Sequence, residues 1–268
     1  MNRPFKNVRT RVGGAVRRRL PVRRIIPNVI TLLALCIGLT SIQQGLAGNF
    51  ELAVYCILAA AVLDATDGRV ARLLHAESVI GEQLDSLADF INFGVAPALV
   101  IYAWALQPTG RLGWAVLLIY SMCCALRLAR FHAASDDGDA SDKLRRFFIG
   151  VPAPAGGGLM LLPLFLSFAG LVDLRDAPAF VMVNSLLVGF LMVSRLPSFA
   201  PDALLSPTIR REYMGFAMLA VACVLVMVLT FPWPTMIACA GLYFASLPLS
   251  YRAYRRVIPQ DSPDVKAS

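Results

Sequence analysis

Residues 52–89 read LAVYCILAAAVLDATDGRVARLLHAESVIGEQLDSLAD. An apolar run, Leu52 to Leu63, meets Asp64 and Asp67 without a break in helical character. These two acids stand three residues apart and share one helix face. After a short connection, Gly81, Asp85 and Asp89 recur at four-residue intervals and form one stripe on the next helix. Neighbouring antiparallel helices bring the two stripes to the same depth. The stretch predicts a helical hairpin, 50–74 and 79–106, with four carboxylates facing one another. Each ionised Asp within a membrane helix costs about 2.5–3.5 kcal/mol on insertion scales. Wet helix ends would relieve part of that cost but do not explain the spacing. Mutual repulsion of the four acids is relieved by protons or by divalent cations, and hard oxygen ligands of this kind suit Mg²⁺ or Mn²⁺.

The rest of the chain fits a membrane setting. Of 268 residues, 57% are hydrophobic and 16% charged, with a mean hydropathy of +0.65. A soluble domain carries roughly 25% charged residues. These values exclude a disordered chain, a secreted disulfide module and an ordinary cytosolic enzyme. The expected fold is all-α: a polytopic bundle of about eight transmembrane helices at 28–47, 50–74, 79–106, 112–133, 152–171, 178–196, 213–231 and 235–253. Pro232-Trp233-Pro234 separates the last two. Of the 25 Lys and Arg residues, only Arg111 and Arg175 fall on the outer side if both termini are cytoplasmic. That asymmetry is a strong positive-inside signal and predicts a cytoplasmic-membrane protein. The expected organisation is a basic tail over 1–27, a membrane domain over 28–254 and a cytoplasmic tail over 255–268.

The tail arginines and lysine (Arg3 to Arg24) read as an orientation signal and an anchor for anionic lipid, not as a nucleic-acid contact. The six cysteines lie in apolar runs without a C-x-x-C pair, which suggests neither a disulfide framework nor a zinc site. The polar stretch 134–146 reads as a solvated loop, and His75 and His132 as loop or helix-end residues without a catalytic role. Gly68, Ala71 and Gly81 remove side chains beside the acids. Close helix packing or room for a ligand explains that equally well.

The segment Asp64–Asp89 matches D-x2-D-G-x2-A-R-x8-G-x3-D-x3-D at every fixed position. By that motif the chain resembles the CDP-alcohol phosphatidyltransferase family. Further segments are similar to its membrane-integral phosphatidylserine synthase branch: Phe90 to Ala98, Ala125 to Phe131, Phe148 to Ala155, and Ser194 to Pro197. Pro27, Asn28 and Thr31 resemble the opening of the family's first helix. The basic tail before Pro21 has no counterpart in the shared core, and the Gly156-Gly157-Gly158 run departs from the small-residue pattern.

The resemblance implies transfer of a phosphatidyl group from CDP-diacylglycerol to the hydroxyl of L-serine, releasing CMP. It implies Asp64, Asp67 and Asp85 as ligands of divalent cations, two of them, Mg²⁺ or Mn²⁺. Asp89 completes the cluster and acts as general base. Gly68, Ala71, Arg72 and Gly81 form the nucleotide cradle, with Asn28 and Thr31 as further candidates and Arg72 on phosphate. A homodimer is also implied. Serine carries a carboxylate, so Arg127 and Arg130, at the cytoplasmic end of the fourth helix, are candidates for acceptor binding. They also read as positive-inside anchors. Arg145, Arg146 and Arg195 are lesser candidates. Another acceptor (glycerol 3-phosphate, inositol phosphate or choline) would use the same aspartates. A cation transporter is the more distant alternative. A non-catalytic scaffold gives no reason for four aligned acids.

Overall fold

The computed structural model describes residues 22–74, 76, 78–136, 147–194, 197–199, 223 and 226–257. They are mostly helical. Helices α1 (Val22–Leu46), α2 (Phe50–Leu73) and α3 (Val79–Asp89) come first. The rod that α3 begins runs on through a π-helical turn, Phe90–Val95, then α4 (Ala96–Ile101), a second π-helical stretch, Tyr102–Leu106, and a 3₁₀ turn, Gln107–Thr109. Then follow α5 (Arg111–Asp136), β1 (Phe147–Ile149), α6 (Ala153–Met160), α7 (Leu162–Phe168), α8 (Pro178–Val193), β2 (Pro197–Phe199) and α9 (Pro232–Val257).

Among the described residues, three helices are long and apolar enough to cross a membrane: Ile25–Leu46, Val79–Thr109 and Arg111–Phe131. They correspond to the first, third and fourth expected spans, and the protein is a helical integral membrane protein. A helix stands where the second span is expected, α2, but it is not among these three, because the acids interrupt its apolar character. The sixth is the shorter apolar helix Pro178–Val193. The fifth, expected as one helix over 152–171, is two helices that break at Leu161, ahead of Pro163. Most of the seventh lies outside the described residues. So do residues 1–21 and 258–268, His75, Arg145, Arg146 and Arg195. Helix α1 begins at Val22, inside the segment expected to be tail. The break at Pro232 falls where the sequence put it: residue 231 is a bend, and α9 opens on Pro232.

Prolines cost backbone hydrogen bonds, and side chains replace them. Pro163 has no N–H for the carbonyl four residues back, and Asn184 Nδ2 on α8 donates to that carbonyl, Leu159 O, at 3.1 Å. Pro97 has none for the π-helical turn behind it. There, two hydroxyls of α5 donate to buried carbonyls of the turn: Tyr120 to Phe93 O at 2.9 Å and Ser121 to Gly94 O at 3.1 Å. A Cβ on Gly94 would stand 3.0 Å from Cys124 Sγ, so the glycine permits this close approach of the rod to α5.

The core sits where the rod, α5, α6, α7 and α8 meet, around Phe93, Ile101, Tyr120, Met160, Leu164, Phe165 and Met192, all at most 1% exposed. Trp233 at the start of α9 joins it, with ring centroids 4.8 Å from Phe168 and 5.5 Å from Tyr55. All six cysteines are free thiols.

Among the described residues, one feature departs from all-α. β1 and β2 pair antiparallel, Phe147 with Phe199 and Ile149 with Pro197. Three residues per strand are too few for an alternating pattern to show in sequence. The ribbon ends at Gly150, at φ +85°, where a Cβ would lie 2.5 Å from Met192 O. Only glycine fits both demands.

Candidate functional site

The site lies where α1, α2 and α3 converge. Helix α1 packs along α2 and touches α3, while α2 and α3 are joined by a short turn. Ser78 caps α3, its Oγ accepting from Gly81 N at 3.1 Å. This cap fixes where α3 starts and with it the register of Asp85 and Asp89.

The expected clustering of the acids is present. Asp64, Asp67 and Asp85 each offer a carboxylate oxygen, and these oxygens all lie within 4.8 Å of one another. Asp89 adjoins them: it is in hydrogen-bond contact with Asp64 and in electrostatic reach of Asp85 and Asp67. Two carboxylates cannot sit in contact without a proton or a cation to offset their charge. The donor set consists of hard carboxylate oxygens gathered on facing helices. These residues fit a divalent cation of the Mg²⁺ or Mn²⁺ kind.

Asp67 is the most buried of the four, at 3% exposure, and it is held from α1: Thr31 Oγ1 donates to Asp67 Oδ2 at 2.6 Å. Thr31 also touches Pro27 O at 3.1 Å. Asn28, one turn earlier, faces Gly81, where a Cβ would stand 2.9 Å from Asn28 Oδ1. Gly81 thus serves close approach of α1 to α3. Gly68 differs: a Cβ there would meet nothing within 4 Å, so open space adjoins the aspartates at that point. Ala71 lies one turn further along α2 and is half-buried. Arg72 is exposed and folds back along its own helix, Nε donating to Gly68 O at 3.2 Å.

The two arginines of α5 separate. Arg127 is half-buried in electrostatic reach of Asp89, with Tyr243 of α9 and Cys124 also beside it. Its guanidinium lies 5.7 Å from the centre of the Phe131 ring. Arg130 is exposed and engaged at the end of α8, Nη1 donating to Val193 O at 2.8 Å. The structure therefore brings Arg127 to the acids and gives Arg130 a helix terminus to cap. Of His132, only the helical backbone is described.

Two neighbours escaped the sequence reading. Tyr243 carried no motif. Asn92 is 0% exposed in the π-helical turn one turn beyond Asp89. A polar residue inside the uncharged stretch after Asp89 was the signal available for it.

Residues 24–193 match the model of the CDP-alcohol phosphatidyltransferase family. A protein of Mycobacterium leprae called CDP-diacylglycerol–serine O-phosphatidyltransferase is 51% identical over 151 residues, which cover 55% of this chain and 50% of that protein. Proteins of the same name from Helicobacter pylori and Bacillus subtilis are 36% and 35% identical, over 65% and 66% of this chain and 73% and 93% of theirs. The chain spans about half the length of the mycobacterial relatives it matches. The family match runs over all four acids and over more than half of the sequence. The chain belongs to the CDP-alcohol phosphatidyltransferase family.

Proposed function

We propose that this protein transfers the phosphatidyl group of CDP-diacylglycerol to the hydroxyl of L-serine, releasing CMP. The observation that carries the reading is the gathering of Asp64, Asp67 and Asp85 oxygens within 4.8 Å, with Asp89 against them. The relatives named as serine transferases support serine over glycerol 3-phosphate, inositol phosphate or choline as the acceptor.

Asp64, Asp67, Asp85 and Asp89 would hold two divalent cations, which when bound would offset the diphosphate charge and stabilise departing CMP. Thr31 keeps the Asp67 carboxylate turned inward. The open side of Gly68 receives the nucleotide, Ala71, Gly81, Asn28 and Thr31 being the other residues of the cradle, and Arg72 swings from its own helix onto phosphate. Asp89 accepts the serine hydroxyl proton as that oxygen attacks phosphorus, since a hydroxyl is a poor nucleophile while it keeps its proton. Arg127, close to Asp89, binds the serine carboxylate through its two-pronged guanidinium. Arg130 is a structural tether of α8.

The charge asymmetry supports a bundle of about eight spans with both termini, and the aspartates, at the cytoplasmic face of the membrane. That depth suits a lipid donor and a water-soluble acceptor. In this reading α9 belongs to the same domain, since Trp233 and Tyr243 pack on its core. The resemblance extends to a homodimer.

The test is purified protein with CDP-diacylglycerol and a panel of radiolabelled acceptors, with and without EDTA. CMP release that requires serine and stops on chelation is expected. Release with another acceptor instead reassigns the substrate, and none with any acceptor removes the reading in favour of cation transport.

A further inference from the structure

Asn92 is completely buried, and neither atom of its carboxamide has a hydrogen-bond partner among the described residues. An unpaired buried amide is costly, and more so at membrane depth, where no bulk water can substitute. The residue stands in the turn Phe90–Val95, and single π-helical turns within α-helical rods collect at functional sites. Its backbone setting is rigid, because Tyr120 and Ser121 tie the next two carbonyls, those of Phe93 and Gly94, to α5.

The other buried side-chain atom without a partner among the described residues is Asp89 Oδ1, three positions earlier. The two orphans are complementary. An amide nitrogen donates and a carboxylate oxygen accepts. The two are not bonded to each other, and one buried water between them would pair both. Behind Asn92 the wall is bare by necessity: a Cβ on Gly38 of α1 would collide with Asn92 Oδ1. Gly38 thus keeps the room in which the amide sits.

We propose that Asn92 is a positioning residue: its carboxamide N–H holds Asp89 Oδ1 through one buried water, and so keeps the other Asp89 oxygen, the one beside Asp64, turned toward the acid cluster and the acceptor. The proposal rests on the reading of Asp89 as the base. Asn92 itself touches no substrate.

The test compares Asn92→Leu, close in volume but without polar atoms, with Asn92→Ser, which keeps a donor. A purely packing role predicts unchanged turnover for Asn92→Leu and equal or higher thermal stability, since two unpaired polar atoms are gone. Positioning predicts native stability with kcat lower by about 10–100-fold, an unchanged KM for CDP-diacylglycerol, and recovery to within a few-fold in Asn92→Ser. Asn92→Ala serves the same comparison if the leucine variant does not accumulate. An experimental density map of the wild-type protein adds a readout independent of turnover. It should place one water between Asn92 Nδ2 and Asp89 Oδ1, within hydrogen-bond distance of both. Wild-type kcat in Asn92→Leu, or an amide paired with any other group, overturns the proposal. Wild-type CMP release on serine is measured alongside. Its absence would refute the serine reading, while the map would still decide the Asn92 contact.

Discussion

Thr31 of α1 donates its hydroxyl to Asp67 Oδ2 of α2 at 2.6 Å, and both residues are buried. This bond joins the first helix to the acid cluster. It satisfies one oxygen of a carboxylate that also bonds the Gly68 backbone, and it ties that carboxylate to the neighbouring helix. A hydrogen bond to a charged group contributes roughly 1.5–3 kcal/mol.

Thr31→Val keeps the shape and removes the donor. Outer partners of metal-binding carboxylates typically tune affinity by about 10–100-fold. The expected outcome is a rise of that size in the Mg²⁺ or Mn²⁺ concentration needed for half-maximal CMP release, with Thr31→Ser close to wild type. Equal metal requirements in wild type and Thr31→Val would show that the bond is idle.

Asp89→Asn and Asp64→Asn separate chemistry from folding. Both replacements are nearly isosteric and remove a negative charge from a crowded group of acids, so the bundle should persist and its melting temperature should hold or rise. Loss of a general base costs about 10²–10⁴-fold. Asp89→Asn should therefore lose at least that much in kcat. Asp64→Asn should lose metal-dependent turnover altogether. Metal-dependent activity near normal in either variant contradicts its assigned role.

Arg127 and Arg130 share a helix but not a task. Arg127→Lys replaces a two-pronged donor by a point charge, so the KM for serine should rise about ten-fold or more while the KM for CDP-diacylglycerol stays put. Arg130→Ala removes a cation from the C-terminal end of α8, an effect of about 0.3–1 kcal/mol, and should shift thermal stability slightly with both KM values intact. If serine KM follows Arg130 and ignores Arg127, the acceptor site lies elsewhere.

The acid cluster was legible because helical geometry leaves few options: residues three or four apart share a face, and Asp64, Asp67, Asp85 and Asp89 obey that on both helices. The Pro232 break was legible because proline cannot continue a ladder behind it. The interruption between α6 and α7 had the same cause in Pro163 but was hidden by the uniform apolarity around it. The π-helical turn at Phe90–Val95 depends on hydroxyls from α5 that are 27 positions away in sequence, so no local pattern announces it. The separation of Arg127 from Arg130 depends on where α8 ends, again a tertiary fact. The buried state of Asn92 follows from Gly38 on another helix.

The contact between Asn184 and Leu159 permits a thermodynamic cycle that needs no assay of activity. Pro163 leaves Leu159 O without its helical donor, and Asn184 Nδ2 supplies one at 3.1 Å from a nearly buried position, 8% exposed. Asn184→Ala strands that carbonyl, at about 1–3 kcal/mol, and should lower the melting temperature by several degrees. Pro163→Ala restores an N–H four residues beyond Leu159, so the carbonyl can be served by its own helix. Adding Asn184→Ala to Pro163→Ala should then cost much less than it does alone, a coupling of about 1 kcal/mol or more. Thermal unfolding of the four proteins in detergent measures it. An equal penalty for Asn184→Ala in both backgrounds would mean that Asn184 acts by filling space, and that the proline break is satisfied by some other group.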